Sequence, residues 1–305
     1  MNNKVVIIGC GNVGMAYAYA LLNQRTYVNK LVLIDLDKDR TEGEVMDLNH
    51  GLSYAPSKIS INIGDYQDCS DARIVVIAAG ANQKPGETRM DLINKNARIF
   101  KSIVNNVMNS GFNGIFLVAT NPLDIMTYLT YKYSNLPTNQ VIGTGTSLDT
   151  ARLQLIIGKK LCINPKNIQA YVIGEHGDSE FIPWSNANIS LQNIKEFFTD
   201  EELNNIEDEV RNAAYEIINR KGATCYGIGM ALVRITNAIL GNENTIIALS
   251  VYDEENDIYI GLPAIINEKG ASKRIPLQLT YEEEIKLNNS INIIKKNIDS
   301  LFDNK

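Results

Sequence analysis

The chain predicts an α/β protein, with an N-terminal doubly wound parallel sheet followed by an α+β unit of different rhythm. Two observations carry that prediction. Short β-branched runs alternate with helical stretches through the first half, as in a parallel sheet with crossover helices. The second half instead shows long helical stretches and closely spaced apolar runs, which read as antiparallel strands. At 305 residues, 45% hydrophobic and 21% charged, the chain suffices for a sizeable core and two domains.

The first run, Val5-Val6-Ile7-Ile8, suits a strand buried on both faces. Gly9-Cys10-Gly11-Asn12-Val13-Gly14 follows, and a helix continues from Ala16. GxGxxG alone is a weak signal, but after a strand and opening a helix it is a dinucleotide fingerprint of the Rossmann type. Gly9 permits the tight turn, Gly11 admits a pyrophosphate, and Gly14 lets helix and strand pack closely. The helix start, with Asn12 and Val13, presents N–H groups and a positive dipole end to the phosphates. The second run, Leu31-Val32-Leu33-Ile34, ends in Asp35, about twenty residues beyond the last glycine, where such folds place an acid on the adenosine ribose. That acid accepts bonds from the ribose hydroxyls and repels a 2′-phosphate, so NAD is expected rather than NADP. The alternative for Asp35 is a plain helix cap.

Three more strands follow the same rhythm. Ile74-Val75-Val76-Ile77 leads to Gly80, Ile115-Phe116-Leu117-Val118 to Asn121-Pro122, and Gln140-Val141-Ile142 to Gly143, with a helix expected over 93–108. Ligands of such sheets lie beyond the carboxyl ends of the strands. Asp35, Asn121 and the loop of Gly80, Ala81 and Asn82 all fall there. After Gly143 the pattern changes. Helices are expected over 149–160, twice between about 200 and 240, and over 282–302, with strands over 168–173, 245–252, 258–266 and 275–279. The boundary is therefore placed at Gly143, giving a cofactor domain over 1–143 and a substrate domain over 144–305.

Composition excludes several classes. A net charge of −6 argues against a nucleic-acid partner, which needs clustered cations. Cys10, Cys69, Cys162 and Cys225 are scattered without metal or redox spacing, so reduced thiols and no metal site are expected. The first apolar run is too short for a signal peptide, and no stretch reaches membrane length. A soluble cytoplasmic protein is expected.

One of the two histidines lies in Ile173-Gly174-Glu175-His176-Gly177-Asp178. An imidazole is the usual group for moving a proton near neutral pH. Alone, such a residue more often only satisfies a local hydrogen bond.

Together the motifs resemble those of the L-2-hydroxyacid dehydrogenase family, which contains the lactate and malate dehydrogenases. The similarity runs nearly end to end. Beyond the glycine fingerprint it is carried by Val45-Met46-Asp47-Leu48-Asn49-His50-Gly51, Gly80-Ala81-Asn82-Gln83-Lys84-Pro85-Gly86-Glu87-Thr88-Arg89 and Thr120-Asn121-Pro122. Leu148-Asp149-Thr150-Ala151-Arg152, Gly174-Glu175-His176-Gly177-Asp178 and Lys221-Gly222-Ala223-Thr224 complete the set. The resemblance implies that His176 is the acid–base residue and that Asp149 binds its other ring nitrogen; the plain alternative for Asp149 is an N-cap. It implies that Arg152 anchors the substrate carboxylate and that Arg89, on a mobile loop, closes over the substrate and polarises its carbonyl. Asn121 is implied to bond the substrate oxygen, Thr224 to line the far wall, and Thr144 and Ile228 to lie beside the nicotinamide. A homotetramer is implied, with a dimer as the alternative.

Within the family, Gln83 selects the substrate. Malate dehydrogenases carry an arginine there for the second carboxylate of oxaloacetate. A neutral glutamine leaves that carboxylate unpaired, at a cost of several kcal/mol, so the resemblance points to pyruvate and L-lactate. The alternative is a bulkier acid such as 2-hydroxyisocaproate; a non-catalytic NAD-binding protein is the rival from another class. Relatives activated by fructose 1,6-bisphosphate carry a cation two positions after the substrate arginine and a histidine seven before the catalytic one. Gln154 and Gln169 stand there, so little activation is expected. Only three residues precede the first strand, so the N-terminal arm that braces vertebrate tetramers is expected to be missing. His50 is expected to be structural, and Cys225, with no basic neighbour in sequence, to be inert packing.

Overall fold

The computed structural model describes residues 2–81, 86, the backbone of 89, and 90–302. The first half alternates as expected. Strands β1 (Lys4–Ile8), β2 (Lys30–Ile34), β3 (Ser60–Ile63), β4 (Ile74–Ile77), β5 (Ile115–Val118) and β6 (Val141–Gly143) are interleaved with helices α1 (Asn12–Asn23), α2 (Lys38–His50), α3 (Arg89–Asn109) and α4 (Leu123–Ser134). All pairings among these strands are parallel, in the order β6-β5-β4-β1-β2-β3. Their carboxyl ends therefore share one edge, and the chain order reverses between β1 and β4, where such sheets bind ligands.

Side-chain alternation explains why β1 is apolar throughout. Val5 and Ile7 enter a core with Tyr17, Leu21, Leu232 and Ile235, while Val6 and Ile8 enter a second with Phe100, Val104, Leu129 and Ile294. Helices cover both faces, so neither face of the strand tolerates a polar side chain.

The second half holds α5 (Ser147–Leu161), β7 (Ile168–Gln169), β8 (Asn188–Ile189), β9 (Gln192–Asn193), α6 (Asp200–Lys221), α7 (Tyr226–Leu240), β10 (Thr245–Asp253), β11 (Ile258–Asn267), β12 (Gly270–Arg274) and α8 (Tyr281–Phe302). Leu153, Ile157, Val172, Trp184, Leu203 and Ile206 form a third core beneath α5 and α6. The antiparallel strands do not stand apart. Ser250 of β10 pairs with Gly143 of β6, so β10, β11 and β12 extend the parallel sheet to nine strands.

Two local expectations are corrected, and one strand was not anticipated. The strand expected over 275–279 lies earlier, at β12: Pro276 offers no N–H to a ladder, and Asn267 pairs with Gly270 across a tight turn. Gly270 has φ +94°, and a side chain there would run into the Asn139 carbonyl. The strand expected over 168–173 shrinks to two residues plus an isolated bridge at Ile173. Strand β3 went unread because only Ile61 of its four residues is buried.

Candidate active site

The glycine fingerprint forms a tight β1–α1 turn. Gly9 has φ +103°, and a side chain there would overlap the Ala79 backbone at the end of β4; one at Gly14 would strike the Gly9 carbonyl. At Gly11, by contrast, no atom lies within 4 Å of the position a Cβ would take. Gly11 is also the N-cap of α1, with no side chain bonded across it, so the first N–H groups face an open approach with Asn12 and Val13 beside them. Asp35 accepts from the Cys10 N–H (2.6 Å) and the Asp37 N–H (3.1 Å), while Asp37 caps α2. Asp35 is thus no helix cap. It ties the glycine turn to the end of β2, and its oxygens keep further lone pairs able to accept hydroxyl protons. The residues present fit a dinucleotide without a 2′-phosphate.

Beyond β4 and β5, the fully buried Asn96 of α3 joins two site loops. Its Oδ1 accepts from the Ala81 N–H (2.8 Å) and its Nδ2 donates to the Asn121 carbonyl (3.0 Å). Thr120 Oγ1 donates to the Ala79 carbonyl (2.9 Å). These bonds place Gly80, Ala81 and Asn121 side by side at the sheet edge. Asn121 is exposed and joined to Pro122 by a cis bond. Thr144 is buried just past β6, its N–H on the Val118 carbonyl. Asn82 and Gln83 lie outside the described residues. Arg89 begins α3, and its side chain lies outside the described part.

His176 tops a hairpin closed by reciprocal 2.9 Å bonds between Ile173 and Phe181. Three elements brace it. Gly174 and Gly261 of β11 exchange backbone bonds, Thr146 at the N-cap of α5 and Thr150 within it bond the Val172 backbone, and Ser290 of α8 donates to the Ser179 carbonyl. Gly174 has φ +98° and packs against Ser290, leaving no room for a side chain.

The sequence-predicted trio comes together on this frame. Asp149 lies in the first turn of α5, which Thr146 precedes as the N-cap, so Asp149 does not cap the helix. Its side chain is 2% exposed, and the carboxylate divides its oxygens: Oδ2 meets His176 Nδ1 at 2.8 Å, and Oδ1 accepts from Arg152 Nη1 at 2.6 Å. Burial works against the Asp149 charge, but the His176 charge and hydrogen bond, then Arg152, outweigh it and hold the carboxyl below its usual range. Burial likewise opposes protonation of His176. The Asp149 charge and hydrogen bond overcome it, helped by Glu180, and lift the imidazole well above its ordinary value. The ring side chain is 26% exposed, so Nδ1 is held while one edge stays open. Such a group can hold a proton at neutral pH and deliver it from Nε2.

Sequence reasoning missed Asp124 and Glu180. The Asp124 carboxylate, inside α4, accepts from the His176 N–H (2.8 Å) and Ser250 Oγ (2.5 Å). It thereby pins the His176 hairpin to α4 and β10; burial, partly offset by these bonds, raises it to about 6. Only its place three residues after Asn121 hinted at this. Asp124→Ala strands two buried donors and is expected to lower stability by about 2–3 kcal/mol, read as a lower urea midpoint; an unchanged midpoint would remove Asp124 from the frame. Asp149, His176 and Glu180 bring ligand atoms within 4.8 Å of one another, but the Arg152 guanidinium on Asp149 opposes a cation there.

Gly222 (φ +83°) ends α6, and the break before α7 carries Thr224, half-buried. A side chain at Gly227 would meet Leu148, and one at Gly229 the Ala16 backbone, so the start of α7 is wedged between α5 and α1. Ile228 is half-buried against the first core. Cys225 is half-buried, with Lys221 Nζ 3.8 Å from its sulfur and 3.9 Å from the Tyr226 ring centroid.

Two family models cover this architecture: the NAD-binding domain of lactate/malate dehydrogenases matches residues 3–143, and their alpha/beta C-terminal domain matches 146–305. The chain belongs to the lactate/malate dehydrogenase family. Among its relatives, an L-lactate dehydrogenase of Geobacillus sp. (strain WCH70) is 51% identical, over 99% of this chain and 97% of the relative. One of Bacillus pumilus is 52% identical over 96% of each. A lactate dehydrogenase from a Medee basin deep-sea metagenome superposes with TM-score 0.96 at 54% identity, covering 99% of both chains. The minor L-lactate dehydrogenase of Enterococcus mundtii, in its ligands-bound form, gives 0.96 at 44% identity over 98% of both. This dehydrogenase is therefore an NAD-dependent oxidoreductase.

Proposed function

We infer that this dehydrogenase interconverts pyruvate and L-lactate, with residues 1–143 holding NAD and 144–305 supplying the substrate groups. The observation that carries the reading is the buried Asp149 carboxylate shared between His176 and Arg152, set within a chain about half identical to L-lactate dehydrogenases. The NAD-binding groups are Gly9, Gly11, Asn12, Val13, Gly14, Asp35, Gly80, Ala81, Asn82, Asn121, Thr144 and Ile228. Bound NAD supplies hydride exchange at the substrate's C2.

The chain's own residues do the rest. Protonated His176 donates its Nε2 proton to the ketone oxygen of pyruvate and, in the reverse direction, neutral His176 takes it back from the lactate hydroxyl. Asp149 fixes the ring and favours the imidazolium. The substrate carboxylate draws on the Arg152 guanidinium, whose planar fork matches it with two parallel bonds. Arg89 polarises the carbonyl as its loop closes and excludes water, with Asn121 on the same oxygen and Thr224 on the opposite wall. Gln83 keeps the pocket neutral, suited to a methyl group.

Fructose 1,6-bisphosphate is expected to leave the apparent KM for pyruvate within about twofold, because phosphates are recognised mainly through cationic groups. Gln154 Nε2 instead bonds the Ile168 and Ala170 carbonyls at 3.2 and 3.4 Å. Pyruvate, oxaloacetate and 2-oxoisocaproate, each assayed with NADH and with or without the sugar phosphate, test the whole reading. Turnover chiefly with pyruvate and indifferent to the phosphate agrees with it. Preference for another acid, or a tenfold fall in KM, contradicts the corresponding part. Self-association, as a homotetramer or alternatively a dimer, is supported by large apolar side chains left exposed on three helices: Tyr19 of α1, Met46 of α2, and Tyr226 and Met230 of α7. A cytoplasmic location fits four free thiols.

A further inference from the structure

Glu180 is a buried acid to which the mechanism above gives no work. It follows the catalytic hairpin's turn, its side chain is 7% exposed, and its Oε2 lies 3.8 Å from His176 Nδ1. Among the described residues His176 is the only basic group within 4.0 Å of it. The Nδ1 proton is already committed to Asp149 at 2.8 Å, so Glu180 acts on the ring by charge rather than by a full hydrogen bond. A buried carboxylate held there without a strong partner is costly, unless its environment is used.

We propose that Glu180 is a positioning residue of the reaction, a second carboxylate behind the imidazole that favours the protonated ring of His176 over the neutral one. This rests on the proton-transfer role inferred for His176. The surroundings leave Glu180 as the adjustable charge. On α5, Asp149 is divided between His176 and Arg152. On α4, Asp124 is occupied by the His176 N–H and Ser250. Within the hairpin, Glu175 accepts from Ser179, and Asp178 accepts from Tyr215 of α6. On α8, Lys286 stands over the Phe181 ring and pairs with Glu207 of α6.

The direction of coupling follows. Burial raises Glu180 to about 7, while the nearby imidazolium pulls it down and the Asp149 charge pushes it up. A charged imidazole therefore favours the Glu180 anion, and that anion favours the charged imidazole. The two titrate as a pair. Ionised Glu180 extends the pH range over which His176 keeps the proton needed to reduce pyruvate.

The experiment is a titration of the whole enzyme carrying 13C-labelled histidine. With only His50 and His176 in the chain, a His50→Gln variant assigns the two signals. Glu180→Gln, equal in size and uncharged, is expected to lower the His176 midpoint by about one pH unit or more. It is also expected to move the alkaline limb of kcat/KM for pyruvate down with it. Glu180→Asp, which keeps the charge but draws it back, is expected to fall between the two and covers the case where the glutamine variant folds poorly. A midpoint unmoved in both variants overturns the proposal, as does a fall in Tm without movement of the midpoint, the mark of a purely structural residue. The titration needs no turnover. A shifted midpoint in an enzyme inactive with pyruvate would overturn the functional reading, and an unshifted one in an active enzyme would overturn this inference alone.

Discussion

His176→Gln is expected to lower kcat/KM for pyruvate by about 1,000-fold or more, the contribution of a positioned general acid. Glutamine keeps a hydrogen-bonding group near Asp149 but has no proton to give at neutral pH. Asp149→Asn should fall in the same range, on the order of 100- to 10,000-fold. Its neutral amide can no longer stabilise an imidazolium by charge, and the Arg152 guanidinium, 2.6 Å from the Asp149 carboxylate, loses its counter-charge. NADH affinity, followed by fluorescence, should change little in both variants, since the glycine turn and Asp35 are untouched. A His176→Gln enzyme within tenfold of wild type would place the proton donor elsewhere.

Gln83→Arg is expected to redirect the enzyme. A cation at that position supplies the partner that oxaloacetate's second carboxylate lacks. A desolvated charge pair is worth about 2–5 kcal/mol, which corresponds to roughly 30- to several-thousand-fold in the oxaloacetate-to-pyruvate ratio of kcat/KM. Part of the change should be loss with pyruvate, whose methyl group would face an unpaired guanidinium. An unchanged ratio would show that Gln83 does not line the side-chain pocket.

Elements whose chemistry is local were legible in the sequence. The strand from Val5 to Ile8 announces burial on both faces, and the glycines that follow announce a turn that only glycine can make. Asp149 and Arg152 were readable through the family resemblance, and their three-residue helical spacing puts them on neighbouring positions. What stayed hidden depended on distant chain segments. Asp124 and His176 are 52 residues apart and Asp124 and Ser250 are 126 apart, so no local pattern marks Asp124 as a strut. Asn96 looked like one more polar residue in a helix until its two bonds joined the loops after β4 and β5. Glu180 was passed over because an acid four residues after a histidine is ordinary; its burial beside the ring is not. Misplaced β12 reflects the same limit. Its polar residues, 270–274, gave no strand signal, and its pairing with β11 decided the matter.

The central claim is that His176 carries the proton, and the pH dependence of both directions tests it most directly. Because Asp149 lifts the imidazole above its ordinary value, the form that reduces pyruvate persists through neutrality and is lost only as pH rises past the shifted value. The form that oxidises lactate appears over the same range. The account predicts that kcat/KM for pyruvate falls, and kcat/KM for L-lactate rises, as pH climbs through that shifted value, well above the ordinary histidine value of about 6.5, with both limbs displaced to lower pH in Asp149→Asn. Two profiles that move in the same direction, or limbs that Asp149→Asn leaves in place, would contradict it.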